Sequence, residues 1–193
     1  MSITVQDILT SAGLREALEA GLDFRLLDEG DMADDWFRVD APERFVTVAH
    51  QGAGGVFLLG QSSGAMLYIS SEGQAGIVAA SLEEFLGLGA THPYWQDLLK
   101  FSGGGKLAEM HRCVELLKAD APDLLLDVEE SVRLLRRMMT LPSSEAAVAL
   151  LHRAVADLGL LVRVTSPEGD AYDGLFNNFT GDHLLRYAQP RSA

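Results

Sequence analysis

The chain has few of the residues on which most specialised chemistry depends. One cysteine, Cys113, stands alone among 193 residues. That excludes a disulfide framework and a cysteine-based zinc site. Its apolar-striped surroundings make it a core residue. Basic residues are scarce: 15 Lys and Arg against 28 Asp and Glu give a formal charge of −13 and a pI near 4.6. This argues against direct nucleic-acid binding, which draws its affinity from clustered cations on phosphates. Arg133, Arg136 and Arg137 form a basic patch on one helix, too small to make such a face. No apolar run approaches the roughly 20 residues of a membrane helix, so no membrane association is expected; the strongest, Leu158–Val164, is far shorter. The segment MSITVQDILTS has neither a basic n-region nor an apolar h-region. A cytoplasmic location is therefore expected, and the Asn178-Phe179-Thr180 sequon carries no weight.

Complete catalytic or ligand-binding sets are missing too. The five histidines (His50, His92, His111, His152, His183) are scattered, and no pair has the i,i+4 spacing of a helical metal site. Neither a metal nor a cofactor is expected. Gly60-Gln61-Ser62-Ser63-Gly64 matches G-x-S-x-G, but a strand pattern follows Ser62 where a nucleophile elbow needs a helix, so a hydrolase is the weaker reading and a hairpin turn the better one. Gln51–Gly55 lacks the Walker spacing and reads as another hairpin turn. Ser102–Gly105 precedes a helix, where free N–H groups can hold an anion; with no other nucleotide-binding residues nearby it reads as a flexible joint. Glu72 is expected to accept hydrogen bonds from the N–H groups of the Gly73–Gly76 loop rather than to act as a general acid.

What is present is an ordinary globular composition, 48% hydrophobic and 22% charged, able to bury a substantial core. Phe45–His50, Val56–Leu59 and Met66–Ser70 are short β-prone runs joined by glycine turns, with Ile77–Ala79 as a fourth candidate. Such connections favour antiparallel hairpins. Trp36–Val39 reads as an earlier short strand. Ser81-Leu82-Glu83-Glu84 is an S-x-x-E capping box that starts a helix. Helical stripes also mark Ile3–Ala20 (stopped by Gly21), Tyr94–Phe101, Lys106–Ala119, Leu124–Thr140 (with a Glu129–Arg133 pair) and Ala146–Leu158. Leu160–Thr165 and Ala171–Phe176 read as a terminal hairpin. The fold class is α+β, a mostly antiparallel sheet packed on helices, with residues 1–104 as the core. Residues 105–193 form a helical extension, ending in a small hairpin, that packs on the core as one unit.

The order of glycine hairpin, "LY-x-x-S-E-G" strand end at Leu67–Gly73 and "sLeeFL" helix at Ser81–Leu86 resembles the SUKH superfamily of binding modules. The resemblance covers residues 36–101 most strongly, about a third of the chain. It implies an α+β domain without cofactor chemistry. Many bacterial members are immunity proteins that bind and neutralise toxins, often nucleases; a fungal branch scaffolds cell-wall signalling. The LP-x-x-Y-x-x-F segment common in that family is missing, and the acidic stretch Asp28–Asp35 stands in its place.

That stretch, Asp28-Glu29-Gly30-Asp31-Met32-Ala33-Asp34-Asp35-Trp36, either keeps the protein soluble or steers a basic partner. Its spacing does not fit a calcium loop. If a partner binds there, Asp31, Asp34 and Asp35 supply the charge, and Trp36 with Met32 supplies apolar contact. The functional expectation is a non-enzymatic protein-binding module, immunity-like, whose partner is a basic toxin. The alternative is a cytoplasmic scaffold or sensor that binds another protein or a small ligand.

Overall fold

The computed structural model describes residues 3–28, 35–120, 126 and 128–187. Two helices open the chain, α1 (Val5–Leu9) and α2 (Ala12–Leu22). The single helix expected over this stretch is broken at Thr10-Ser11. Thr4 and Asp7 cap α1 reciprocally: the Asp7 amide donates to Thr4 Oγ1 at 3.2 Å and the Thr4 amide to Asp7 Oδ2 at 2.8 Å. The helix runs through Gly21 to Leu22, and Asp23 takes the left-handed cap at φ 49° that glycine was expected to provide. A short β1 (Arg25–Leu26) follows.

The main sheet adds β3 (Phe45–His50), β4 (Val56–Gly60), β5 (Met66–Ile69) and β6 (Ala75–Ala79) to β1. Its order is β1-β3-β4-β5-β6, all antiparallel. The four expected strands are present and consecutive, and the fold is α+β. β2 (Arg38–Asp40) instead leaves this sheet to pair antiparallel with β7 (Arg163–Thr165), Val39 facing Val164.

Both faces of the main sheet are buried, which explains why β4 and β5 read as continuous apolar runs rather than alternating ones. Phe57, Met66 and Tyr68 point into one cluster with α1, α2 and the Leu82–Thr91 helix; Val56, Leu58, Leu67 and Ile69 point into another with Val39, Val164 and Leu158. Side chains two apart on a strand share a face, so each strand feeds two cores.

The other helices are α3 (Leu82–Thr91), α4 (Trp95–Lys100), α5 (Leu107–Asp120), α6 (Glu129–Met138), α7 (Ser144–Arg153) and α8 (Gly181–Tyr187). Ser81 Oγ accepts from the Glu84 amide at 3.1 Å, as its capping box predicts, whereas Glu84 Oε2 reaches the Ala80 amide, one residue earlier than expected. Arg133 pairs with Glu130 rather than Glu129. Past Arg153 the chain widens into a π-turn at Ala154–Leu158, and Gly159 begins a 3-10 turn. The terminal hairpin shrinks to a bridge between Thr165 and Ala171. Residues from both sides of Gly104-Gly105, Phe85 and Leu151 among them, share the larger core cluster.

Ser102–Gly105 is a clasp rather than a joint. Gly103, Gly104 and Gly105 all have positive φ, at 59°, 79° and 82°. Their N–H groups are occupied: Gly103 donates to Phe179 O (2.7 Å), Gly104 to Asn177 O (2.8 Å) and Gly105 to Ser102 Oγ (3.1 Å). No donor is left there for an anion, and the run fastens residues 177–179 to the core.

His92, fully buried, ties α3 to α7. Its Nε2 donates to Ser144 O at 2.9 Å, leaving Nδ1 to accept from the Tyr94 hydroxyl at 3.2 Å. Burial holds its pKa below the ordinary 6.5, Lys118 and His111 add to that, and the Ser144 bond and Glu115 oppose it. Below pH about 6.5 the unfolded chain takes a proton at this histidine that the folded chain resists, so stability falls on acidification. We expect denaturation midpoints between pH 7 and 5 to drop less in His92→Gln than in the parent. Parallel pH profiles would rule His92 out as a source of acid sensitivity.

Candidate functional site

A cleft of about 280 Å³ opens at the end of the sheet where two turns lie side by side, Gln51–Gly55 between β3 and β4 and Ser70–Gln74 between β5 and β6. The first turn closes through Gln51 N–H to Gly55 O (2.8 Å), with Gly54 at φ 90°. It is anchored to the end of α2 by Asp23, whose carboxylate accepts from the Gly52 amide at 2.8 Å. Ser71 Oγ donates to Ala53 O at 2.9 Å and joins the turns. In the second, Ser70 Oγ accepts from the Gln74 amide at 3.0 Å. Glu72 is exposed at the cleft mouth and has no such role. This corrects the expectation for Glu72; Ser70 braces the loop.

Helix α4 supplies one wall with Trp95, Gln96 and Leu99, and Leu175 and Asn177 supply the other. The latter segment is held by Asp173 N–H to Gly73 O, Ala75 N–H to Asp173 O and Asn177 N–H to Leu99 O. At the base, Tyr68 Oη donates to Gln51 Oε1 (2.8 Å) and accepts from Gln96 Nε2 (2.7 Å). The carboxamides of Gln51 and Gln96 also bond each other at 3.1 and 3.2 Å. Burial pushes the Tyr68 pKa up to about 12, with the charges of Asp23 and Glu72 adding to it and the Gln96 bond opposing it. The phenol therefore stays protonated and remains a donor at neutral pH. Gly55 makes this possible, because a Cβ there would sit 2.8 Å from the Tyr68 ring.

Gln51, Tyr68 and Gln96 come from three elements and no motif connects them. Gln51 was legible only as a turn residue, and nothing in the local sequence singles out Gln96.

The other candidate residues lie elsewhere. Ser62 sits exposed on the β4–β5 turn, as its pattern predicts, and its amide donates to Glu43 Oε2 at 2.7 Å. Hydrogen bonds from Ser63 and Ser62 hold the Glu43 pKa below the usual carboxylate range. Cys113 is buried against Phe101 O, and burial pushes its pKa up to about 11, which keeps the thiol protonated at neutral pH. Among the described residues, no three His, Cys, Asp or Glu are placed to hold a metal ion. No helix among them is long and apolar enough to cross a membrane.

Of the acidic segment, Asp31 and Asp34 lie outside the described residues, as does Met32. Asp28 is braced by Arg15 at 2.7 and 2.9 Å, which lowers its pKa. Asp35 is exposed. Trp36 is half-buried, edge-on to Phe37 and stacked at 6.3 Å on Tyr172, whose hydroxyl donates to Trp36 O. Only part of its ring is open to a partner. At the other end of β2, Asp40 lies beside Leu160 and Leu161, which are 84% and 60% exposed, around an open hollow of about 410 Å³.

No protein-family model, curated protein or solved structure matches this chain.

Proposed function

We propose that the protein is a non-enzymatic protein-binding module that takes a basic protein partner. Its most concrete form, which the SUKH resemblance suggests, is a cytoplasmic immunity-like protein that neutralises a basic toxin. The observation that carries this reading is the formal charge of −13 combined with the exposed Asp35 shortly before β2 and the exposed Asp40 at its end, the latter beside the exposed Leu160-Leu161 pair. Asp35 and Asp40 are five residues apart, so at most about 18 Å separates them even along fully extended chain. That distance fits within one face of a standard interface of about 800 Å² per partner. Charge there steers a basic partner over about a Debye length, roughly 8 Å at physiological salt, and the leucines add the apolar contact that steering lacks.

Immobilised protein incubated with lysate of its own cells is expected to retain a basic protein that elutes with rising salt. Retention of only acidic proteins, or elution indifferent to salt, would count against the reading. A second reading, a sensor of a small ligand, is favoured by the Gln51–Tyr68–Gln96 cleft.

A further inference from the structure

The bonds among Gln51, Gln96 and Tyr68 occupy only one edge of a paired carboxamide. Gln51 Nε2 donates to Gln96 Oε1 and Gln96 Nε2 to Gln51 Oε1. Two primary amides joined by this reciprocal pair keep one N–H and one carbonyl lone pair on each outer edge. On the first edge Tyr68 Oη occupies both positions, giving its proton to Gln51 Oε1 and accepting from Gln96 Nε2. The second edge carries Gln51 Nε2–H beside Gln96 Oε1, the same donor and acceptor 3.1 Å apart, and neither bonds anything else among the described residues.

We propose that this second edge is the recognition element of a site for a neutral polyhydroxyl ligand of monosaccharide size. One ligand hydroxyl takes the place there that Tyr68 takes on the first edge. A hydroxyl oxygen accepts from Gln51 Nε2 and donates to Gln96 Oε1 at once; an ether or ketone cannot donate, and an ammonium cannot accept. The cleft suits the rest of such a ligand. Leu99 and Leu175 give it apolar wall for C–H faces, while Ser70, Gln74 and Asn177 place neutral polar groups around it. Its charges, Glu72 and Asp97 against Lys100, offer no cationic cluster for a phosphate. The volume of about 280 Å³ is at the small end of ligand sites. This goes beyond the protein-binding reading and does not depend on a basic partner.

The test is an NMR titration of the labelled full chain with D-glucose, D-galactose, D-mannose, D-ribose and sorbitol. At least one should shift the side-chain NH₂ signals of Gln51 and Gln96 saturably, with a Kd below about 10 mM. Gln96→Leu should weaken that binding at least about tenfold, the size of effect lost when a buried hydrogen-bonding edge is removed. Gln51→Glu replaces the second-edge donor by oxygen while keeping the acceptor that Tyr68 uses, so it should weaken binding similarly and decides the matter if Gln96→Leu does not fold. No saturable shift at the two carboxamides with any probe would overturn the proposal. Equal affinity in a folded variant would overturn it as well.

Discussion

Phe57→Ala is expected to destabilise the protein by about 3–5 kcal/mol, the range for truncating a buried aromatic ring. Phe57 is 1% exposed and lies at the centre of an aromatic cluster. Its ring centroid is 5.2 Å from Phe24, 4.9 Å from Phe85, 5.1 Å from Tyr68 and 6.4 Å from Trp95. Each such pair adds about 0.5–1.5 kcal/mol beyond area burial, and β4 lies inside the sheet, where the backbone cannot collapse into the space. For a chain of this length the loss lowers the thermal midpoint by roughly 10 °C. Because Phe57 packs on Tyr68, the cleft should loosen with it, and the Gln51 and Gln96 side-chain signals should broaden. Urea denaturation at 25 °C measures the effect; a loss under about 1 kcal/mol would mean that this cluster is not the centre of the core.

Gly105→Ala should cost about 2–4 kcal/mol. Two terms add. A left-handed residue with a Cβ is strained by roughly 1–2 kcal/mol, and Gly105 has φ 82°. The new Cβ would also stand 2.7 Å from Phe176 Cδ2 and 2.9 Å from Cε2, an overpacking of the kind that costs roughly 1–3 kcal/mol. The smaller entropy of the unfolded alanine chain offsets this by about 0.4–1 kcal/mol. Displacing Phe176 should undo the clasp, so amide exchange at Gly103 and Gly104, which bond Phe179 O and Asn177 O, should accelerate ahead of global unfolding. Gly64→Ala is the control: φ is 76° but nothing lies within 4 Å of its Cβ position, so only the strain should register. Equal costs at the two positions would show that the Phe176 contact contributes nothing.

The central sheet was legible because its information is local. β3, β4 and β5 are runs of β-prone residues cut by glycine turns, and a strand's alternation assigns each residue to a face whatever it packs against. β1 was not legible. Arg25-Leu26 is two residues long and becomes a strand only because β3 offers it an edge. The same holds for β2, expected as a strand but placed in a second sheet by a partner some 125 residues away. The break at Thr10-Ser11 had only a weak local cue, two adjacent hydroxyl residues that compete with the helix backbone, as Thr10 Oγ1 does by donating to Gln6 O at 2.9 Å; the apolar spacing continuing across it outweighed that cue. Asp23 in place of glycine at the end of α2 follows from its carboxylate, which bonds Gly52 across the fold. The cleft was invisible because glutamine has no spacing signature. Gln51, Tyr68 and Gln96 acquire meaning only when a hairpin turn, a strand end and a helix meet.

The measurement that tests the functional reading most directly is the association rate of the retained basic partner with the parent and with the Asp31→Asn, Asp34→Asn, Asp35→Asn triple variant, across ionic strength. If the acidic segment steers the encounter, the triple variant should associate about tenfold more slowly at low salt, within the range electrostatic steering supplies. Its salt dependence should flatten while its thermal midpoint stays near that of the parent. An on-rate and salt dependence identical to the parent's would contradict the reading and assign these carboxylates to solubility alone.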